Sequence, residues 1–264
     1  MTIFSVATDR YIKYWSTMVD SYLKTNNSAF KVQWIVCTDK AEEIRGDLKS
    51  QLGDSLVLSK VSHQNWPLPT LLRYQYLTSI SDQISGRLVM HLDADMLFVS
   101  QVDFPEIESV LGLKGVALVK HPGFFRPTGI NKIKFYMTNP KDLARDCRTQ
   151  LRFGGLGSWE RNKESRAFVP RGKRNVYVCG GTWLGRKEEI LTLCKELSSR
   201  INEDLEVGIT AVFHDESHLN WYQAKNQLTV LNPELCFDPS YPQLKNLKPK
   251  IIAVDKNVET KWVR

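Results

Sequence analysis

Two carboxylates one residue apart, Asp93 and Asp95, stand where an apolar run breaks in Arg87-Leu88-Val89-Met90-His91-Leu92-Asp93-Ala94-Asp95-Met96-Leu97-Phe98. Val89 to Leu92 has the make-up of a buried strand, and such a strand carries paired acids when its end opens onto something cationic. Side chains at i and i+2 of an extended segment point to one side, so both carboxylates could meet one hard divalent cation that also holds phosphate oxygens. The alternative is a plain turn between two strands. Phe213-His214-Asp215-Glu216-Ser217-His218-Leu219-Asn220-Trp221-Tyr222 crowds polar groups ahead of a helical pattern. Acids in a helix's first turn suit the macrodipole, which accounts for Asp215 and Glu216 but not for the two histidines. In Val176-Tyr177-Val178-Cys179-Gly180-Gly181-Thr182-Trp183-Leu184-Gly185 a strand runs into paired glycines. These admit a ligand or a second backbone, or serve a tight strand-to-helix turn. His121-Pro122-Gly123-Phe124-Phe125 reads as a turn, or as a histidine with rings that suit the faces of a sugar.

The elements that must position these groups alternate. Ile3 to Ala7, Lys31 to Cys37 and Leu56 to Lys60 read as strands; Tyr11 to Lys24, Ala41 to Leu52 and a segment from near Thr70 read as helices. That order predicts an α/β fold, a mostly parallel sheet flanked by helices. Ligands of such sheets bind beyond the carboxyl ends of the strands, where Asp93 and Asp95 fall. Arg186 to Leu205 sets Ile190, Leu193, Cys194, Leu197 and Ile201 at helical spacing, a core stripe.

At 264 residues and 42% hydrophobic, the chain can bury a substantial core. No apolar run approaches the roughly 20 residues of a membrane span, and no signal-like leader is seen, so a soluble, cytoplasmic protein without an anchor is expected. Five cysteines without C-x-x-C spacing read as reduced thiols, neither a disulfide frame nor a zinc site. A net charge of +7 suits an anionic ligand, nucleic acid or an acidic membrane surface; the basic residues are spread along the chain, and nucleic acid is not expected as a partner.

Together these residues resemble the family 6 glycosyltransferases, the group that holds the blood-group A and B transferases and the α-1,3-galactosyltransferases. His214-Asp215-Glu216-Ser217-His218-Leu219-Asn220 carries the resemblance most specifically. Asp93-Ala94-Asp95-Met96, His121-Pro122-Gly123-Phe124, and Trp159-Glu160-Arg161 through Phe168-Val169-Pro170 follow the family in order. The likeness runs from Val6-Ala7 to Lys256-Asn257. It implies a GT-A fold in a single domain over 1–264, with residues 1–99 mainly the UDP-binding half and 100–264 mainly the acceptor-binding and catalytic half. It also implies a UDP-sugar donor (UDP-GalNAc or UDP-galactose), manganese or magnesium, and α-1,3 transfer with retention to a galactoside or fucosylated galactoside.

By the same resemblance Val6, Ala7, Thr8 and Tyr11 meet uracil and ribose, and Arg73 and Asp215 the donor sugar. Asp93, Ala94 and Asp95 form the donor and metal site, with the two aspartates as metal ligands. Cys179, Gly180 and Gly181 lie at the sugar's C2 substituent, where two small residues favour N-acetylgalactosamine. Lys256, helped by Lys261 or Arg264, faces the diphosphate. His121, Phe213, Glu216 and Asp238 lie on the acceptor side, and Glu216 is the catalytic carboxylate, as nucleophile or as countercharge to an ion pair. The vertebrate members' membrane anchor and stem are not expected here, so a Golgi location does not carry over, and the segment 126–158 is longer than the family leads one to expect. Its aromatic and basic content predicts a cap over the acceptor side, with Gly154, Gly155 and Gly157 as a flexible exit. A metal-dependent UDP-sugar hydrolase and a non-catalytic sugar-binding protein are the rival readings.

Overall fold

The computed structural model describes residues 1–26 and 31–254. Its strands are β1 (Thr2–Val6), β2 (Gln33–Thr38), β3 (Leu56–Lys60), β4 (Leu88–Leu92), β5 (Met96–Phe98), β6 (Val116–Lys120), β7 (Val178–Arg186), β8 (Thr229–Leu231) and β9 (Ile251–Ala253). The α-helices are α1 (Tyr11–Thr25), α2 (Gly46–Leu52), α3 (Leu68–Leu71), α4 (Arg73–Ser79), α5 (Phe104–Ser109), α6 (Gly129–Thr138), α7 (Pro140–Phe153), α8 (Lys187–Glu206) and α9 (His214–Asn226).

Seven strands form one sheet in the order β3-β2-β1-β4-β7-β6-β8, and β5 pairs with β9 in a second. The β3-β2-β1-β4 half is parallel throughout, as the alternation of strands and helices predicts. Beyond it, β7 runs antiparallel to both β4 and β6, and β6 is parallel to β8. Alternating side chains feed two cores. Ile3, Trp34 and Met90 pack under α1 with Trp15 and Met18, while Phe4, Ile35 and Val89 pack on the other face against Tyr74, Leu77, Ile190, Leu197 and Leu219 of α4, α8 and α9. The expected stripe on α8 is therefore core.

Several local expectations differ from the structure. The 41–52 helix is split: a short 3-10 turn, Ala41–Glu43, precedes an extended Ile44, and α2 begins only at Gly46. Gly180 and Gly181 lie inside β7, not in a turn leaving it. The 126–158 segment folds as the helical pair α6 and α7. Its glycine exit is close-packed: Gly154 takes a left-handed φ of 77°, and a Cβ there would stand 2.9 Å from Arg171. Among the described residues no helix is long and apolar enough to cross a membrane.

Candidate active site

The Asp-x-Asp segment is a turn, not an extended run. β4 ends at Leu92, Ala94 and Asp95 bend the chain, and β5 leaves to pair with β9. The turn is held to β7 by Asp93 N–H donating to Gly181 O at 3.0 Å, which continues the β4–β7 ladder past Leu92 and Thr182. Both aspartates nevertheless face one cleft of about 490 Å³ at the carboxyl ends of β1 and β4. Its other walls are Val6, Thr8 and Tyr11 after β1, and Trp66, Thr70 and Arg73 from the α3–α4 region.

Arg73 organises the floor. Its guanidinium is buried, and Nη1 lies 3.0 Å from Asp93 Oδ1 and 3.4 Å from Asp215 Oδ2. The same nitrogen donates to Gly180 O at 3.0 Å and meets His91 Nε2 at 2.9 Å, while Nε donates to Thr70 O. Burial opposes the charge, but Asp215 and Asp93 outweigh it and hold the pKa up. Burial and Arg73 push His91 down to about 4, so the ring is neutral. The same Nε2 lies 3.2 Å from Asp93 Oδ1, so one tautomer accepts from Arg73 and the other donates to Asp93, but neither does both.

The catalytic candidates hang over this floor from the first turn of α9. Burial raises Asp215 to about 6, with Arg73 opposing, and raises Glu216 to about 7 against the Gly180 amide and the Tyr177 hydroxyl, which favour the charged form. Gly180 N–H donates to Glu216 Oε2 at 2.8 Å. The Tyr177 hydroxyl also lies 3.3 Å from Ser158 O, so its single proton serves one acceptor or the other. The glycine pair is explained by these acids. A Cβ at Gly180 would stand 3.1 Å from Asp215 Oδ2, and one at Gly181 would stand 2.8 Å from Asp93 Oδ2. The space they leave is taken up by site carboxylates, so room for an acetamido group is not what the pair visibly provides.

The rest of the polar run on α9 is structural. Asn220 clamps β7 by accepting from Val178 N–H and donating to Val178 O, both at 2.8 Å. Ser217 Oγ accepts the Phe213 amide. His218 is buried with Nε2 3.5 Å from Asp204, and burial pushes it down to about 4. His214 takes a left-handed φ of 47° and stands edge-on to Trp66. Neither histidine adjoins Glu216 as a proton partner.

The remaining expected residues separate into groups. Ala7 is fully buried under the cleft wall, and Cys179 is buried against Cys236 beneath the glycines. His121 accepts the Gly123 amide at Nδ1, 3.0 Å, and burial lowers it to about 4, so the neutral ring presents an Nε2–H donor. Asp238 is its charged neighbour. Rings of His121, Phe124 and Trp159 surround Tyr177, which joins this side to Glu216. Phe213, 45% exposed, shares a smaller pocket with Phe153, Trp159 and Arg161. Lys256, Lys261 and Arg264 lie outside the described residues. His91, Tyr177 and Trp66 were not among the expected site residues; all three sit next to residues that were.

Asp93 and Asp95 offer hard carboxylate oxygens on one cleft wall, and among the described residues no third His, Cys, Asp or Glu completes a closed cage. Two carboxylates with the other positions left to phosphate and water fit Mg²⁺ or Mn²⁺, and Gly181 gives Asp93 the space to turn. The fold, a mostly parallel sheet flanked by helices with the cleft at its carboxyl edge, is of the GT-A type. The profile of "Glycosyltransferase family 6" matches residues 156–264. Histo-blood group ABO system transferase 1 of Rattus norvegicus is 26% identical over 97% of this chain and 66% of its own length. Globoside alpha-1,3-N-acetylgalactosaminyltransferase 1 of Homo sapiens is 24% identical over 98% of this chain and 66% of its own. The O-antigen biosynthesis glycosyltransferase WbnI of Escherichia coli is 24% identical over 74% of this chain and 70% of its own. The chain thus spans about two thirds of the length of these relatives. Its residues 156–264 are similar to glycosyltransferase family 6, and the likeness to these transferases runs along most of the chain.

Proposed function

We propose that this protein transfers N-acetylgalactosamine or galactose from its UDP donor to a galactoside or fucosylated galactoside, forming an α-1,3 linkage with retained configuration. The observation that carries the reading is that Asp93 and Asp215 meet on buried Arg73, which also holds the Gly180 carbonyl, while the Gly180 amide holds Glu216. A simple sugar-binding surface has no use for a buried Asp215 with two further half-buried carboxylates gathered beside it.

Val6, Thr8 and Tyr11 take the uridine end of the donor, and Asp93 and Asp95 hold manganese or magnesium. When bound, the ion supplies positive charge against the leaving diphosphate. Arg73 supplies the countercharge that holds Asp93 and Asp215 in place, and Asp215 accepts hydrogen bonds from sugar hydroxyls. Glu216, steadied by the Gly180 amide, faces the anomeric carbon as its bond to the diphosphate breaks, either as nucleophile or as countercharge. His121 Nε2–H and the ring of Tyr177 orient the acceptor, with Asp238 and Phe213 at its margins. Residues 1–99 act mainly as the donor half and 100–264 as the acceptor half of one domain, with Phe153 of α7 bordering the acceptor side.

Incubation with manganese, a panel of UDP-sugars and plain or fucosylated galactosides, followed by NMR of the product's anomeric proton, tests the reading. An α-1,3 disaccharide is expected. Free sugar at the same rate with and without acceptor assigns a hydrolase instead. Asp95→Asn should need far more metal and lose at least about 10²-fold in turnover. Full activity of that variant in excess chelator overturns the metal assignment.

A further inference from the structure

The helices α6 and α7 invert the usual placement of apolar residues. Of their side chains only Phe135 and Asp146 are buried. Ile130, Ile133 and Met137 follow one another at i, i+3, i+7 and are 63%, 57% and 77% exposed. On α7, Leu143, Cys147 and Leu151 repeat at i, i+4, i+8; the two leucines are 42% and 78% exposed, and Cys147 is the one exposed cysteine of five. At 100° per residue, the α6 stripe lies opposite Phe135, and the α7 stripe lies to one side of Asp146 while Lys141, Arg145, Arg148 and Arg152 line the other.

This face is held, not frayed. Arg126 forks onto Asp146 at 2.5 and 2.8 Å, and Tyr136 donates to the same carboxylate at 2.9 Å. Arg171 and Arg174 donate to Leu151 O and Phe153 O at the end of α7. The orientation of the exposed stripes is therefore fixed by the fold.

Charge selects the partner. Between residues 126 and 153 there are seven lysines and arginines and two aspartates, a surplus of five in a chain whose whole surplus is seven. Basic residues occur throughout, but the net positive charge is concentrated here. A second copy of the same face would bring two such surpluses together. A glycan would meet aliphatic stems where rings are wanted. A nucleic acid would use the charge and leave the stripes in water. An aliphatic stripe flanked by Lys and Arg on an amphipathic helix matches a membrane interface, apolar residues in the acyl boundary and cations among anionic headgroups.

We propose that the α6–α7 pair docks the protein on an anionic lipid bilayer, with Ile130, Ile133, Met137 and Leu151 entering the interface. The proposal is independent of the donor and acceptor assigned above. Sedimentation of the full chain with vesicles rich in phosphatidylglycerol, beside vesicles of phosphatidylcholine alone, tests it, with an environment-sensitive fluorophore on Cys147 as a second readout. Binding to the anionic vesicles only, with a blue shift of the fluorophore, is expected. The triple variant Ile133→Ser, Met137→Ser, Leu151→Ser should lower partition by about tenfold or more, and Lys134→Glu with Arg148→Glu by a similar factor. Because these side chains are exposed, an unchanged thermal midpoint verifies that each variant is folded. Three results overturn the proposal: no binding to anionic vesicles, equal binding by the triple variant, or a dimer in solution that the triple variant abolishes.

Discussion

The floor of the cleft and the outer face of α6–α7 break the same rule in opposite directions. At the floor, Arg73, His91, Asp215 and Glu216 are polar groups drawn out of water. On α6–α7, Ile130, Met137 and Leu151 are apolar groups left in it. The first arrangement is held by mutual hydrogen bonds and ion pairs, so removal of one member exposes the cost of burying the others. The second is held by nothing it touches; its rigidity comes from Arg126 and Asp146 behind it. Residues placed against their solubility thus mark both regions, but only the floor is coupled tightly enough for single substitutions to propagate.

The largest effect should come at the floor. Glu216→Gln keeps the shape and removes the charge proposed to face the anomeric carbon, so turnover should fall on the order of 10³-fold while UDP affinity, measured by calorimetry, stays within about threefold. Equal losses in both would place Glu216 in donor binding. Next in size, Arg73→Met leaves Asp93 and Asp215 without their cation and should lower stability by about 3–5 kcal/mol in urea unfolding. A loss below about 1 kcal/mol would show the floor to be far better hydrated than its burial implies.

A smaller effect sharpens the contrast through pH. Glu216 and Asp215 titrate at about 7 and 6 when folded, above their ordinary values, so the folded protein keeps protons that the unfolded chain has already lost. Stability should therefore fall as pH rises from about 4 through 7 because of these two groups. In the metal-free protein Glu216→Gln should be more stable than the parent at pH 8 and show no such gain at pH 4. If Glu216 acts as proposed, turnover should rise through pH about 7 as the carboxyl ionises. At the outer face, by contrast, Ile133→Ser and Met137→Ser should each shift stability by no more than about 0.5 kcal/mol. A loss of 2 kcal/mol at either would mean that the stripe is packed against protein.

Where sequence and structure agree, the signal is local. Strands β1 to β4 and the long helices α1 and α8 carry periodic apolar residues that need no distant partner to be recognised, and first-turn acids mark the start of α9. The antiparallel insertion of β7 between β4 and β6 depends on partners roughly 60 to 100 residues away, and nothing in Val178 to Arg186 alone specifies them. The aspartate turn reads equally as metal site and as connection between strands, and it proves to be a connection facing the cleft. His91 looked like one more member of a buried strand; only the fold brings Arg73 to it. Glycines 180 and 181 signalled close approach correctly, but what approaches is the protein's own carboxylates. The helices α6 and α7 defeated periodicity because their apolar stripes point away from any core.

Asn220 joins α9 to β7 through both of its amide atoms, and Gly180 joins β7 back to Glu216. Strand and helix accordingly behave as one interlocked part, the small residues on one piece cut to the acids on the other. An engineer seeking a new donor preference by exchanging residues at 180 and 181 alone would be altering a lock while keeping its key; a Cβ at 181 meets Asp93 before it meets any sugar. Exchange between relatives should succeed when 178–186 and 214–220 travel together as a cassette, and fail when either is moved without the other.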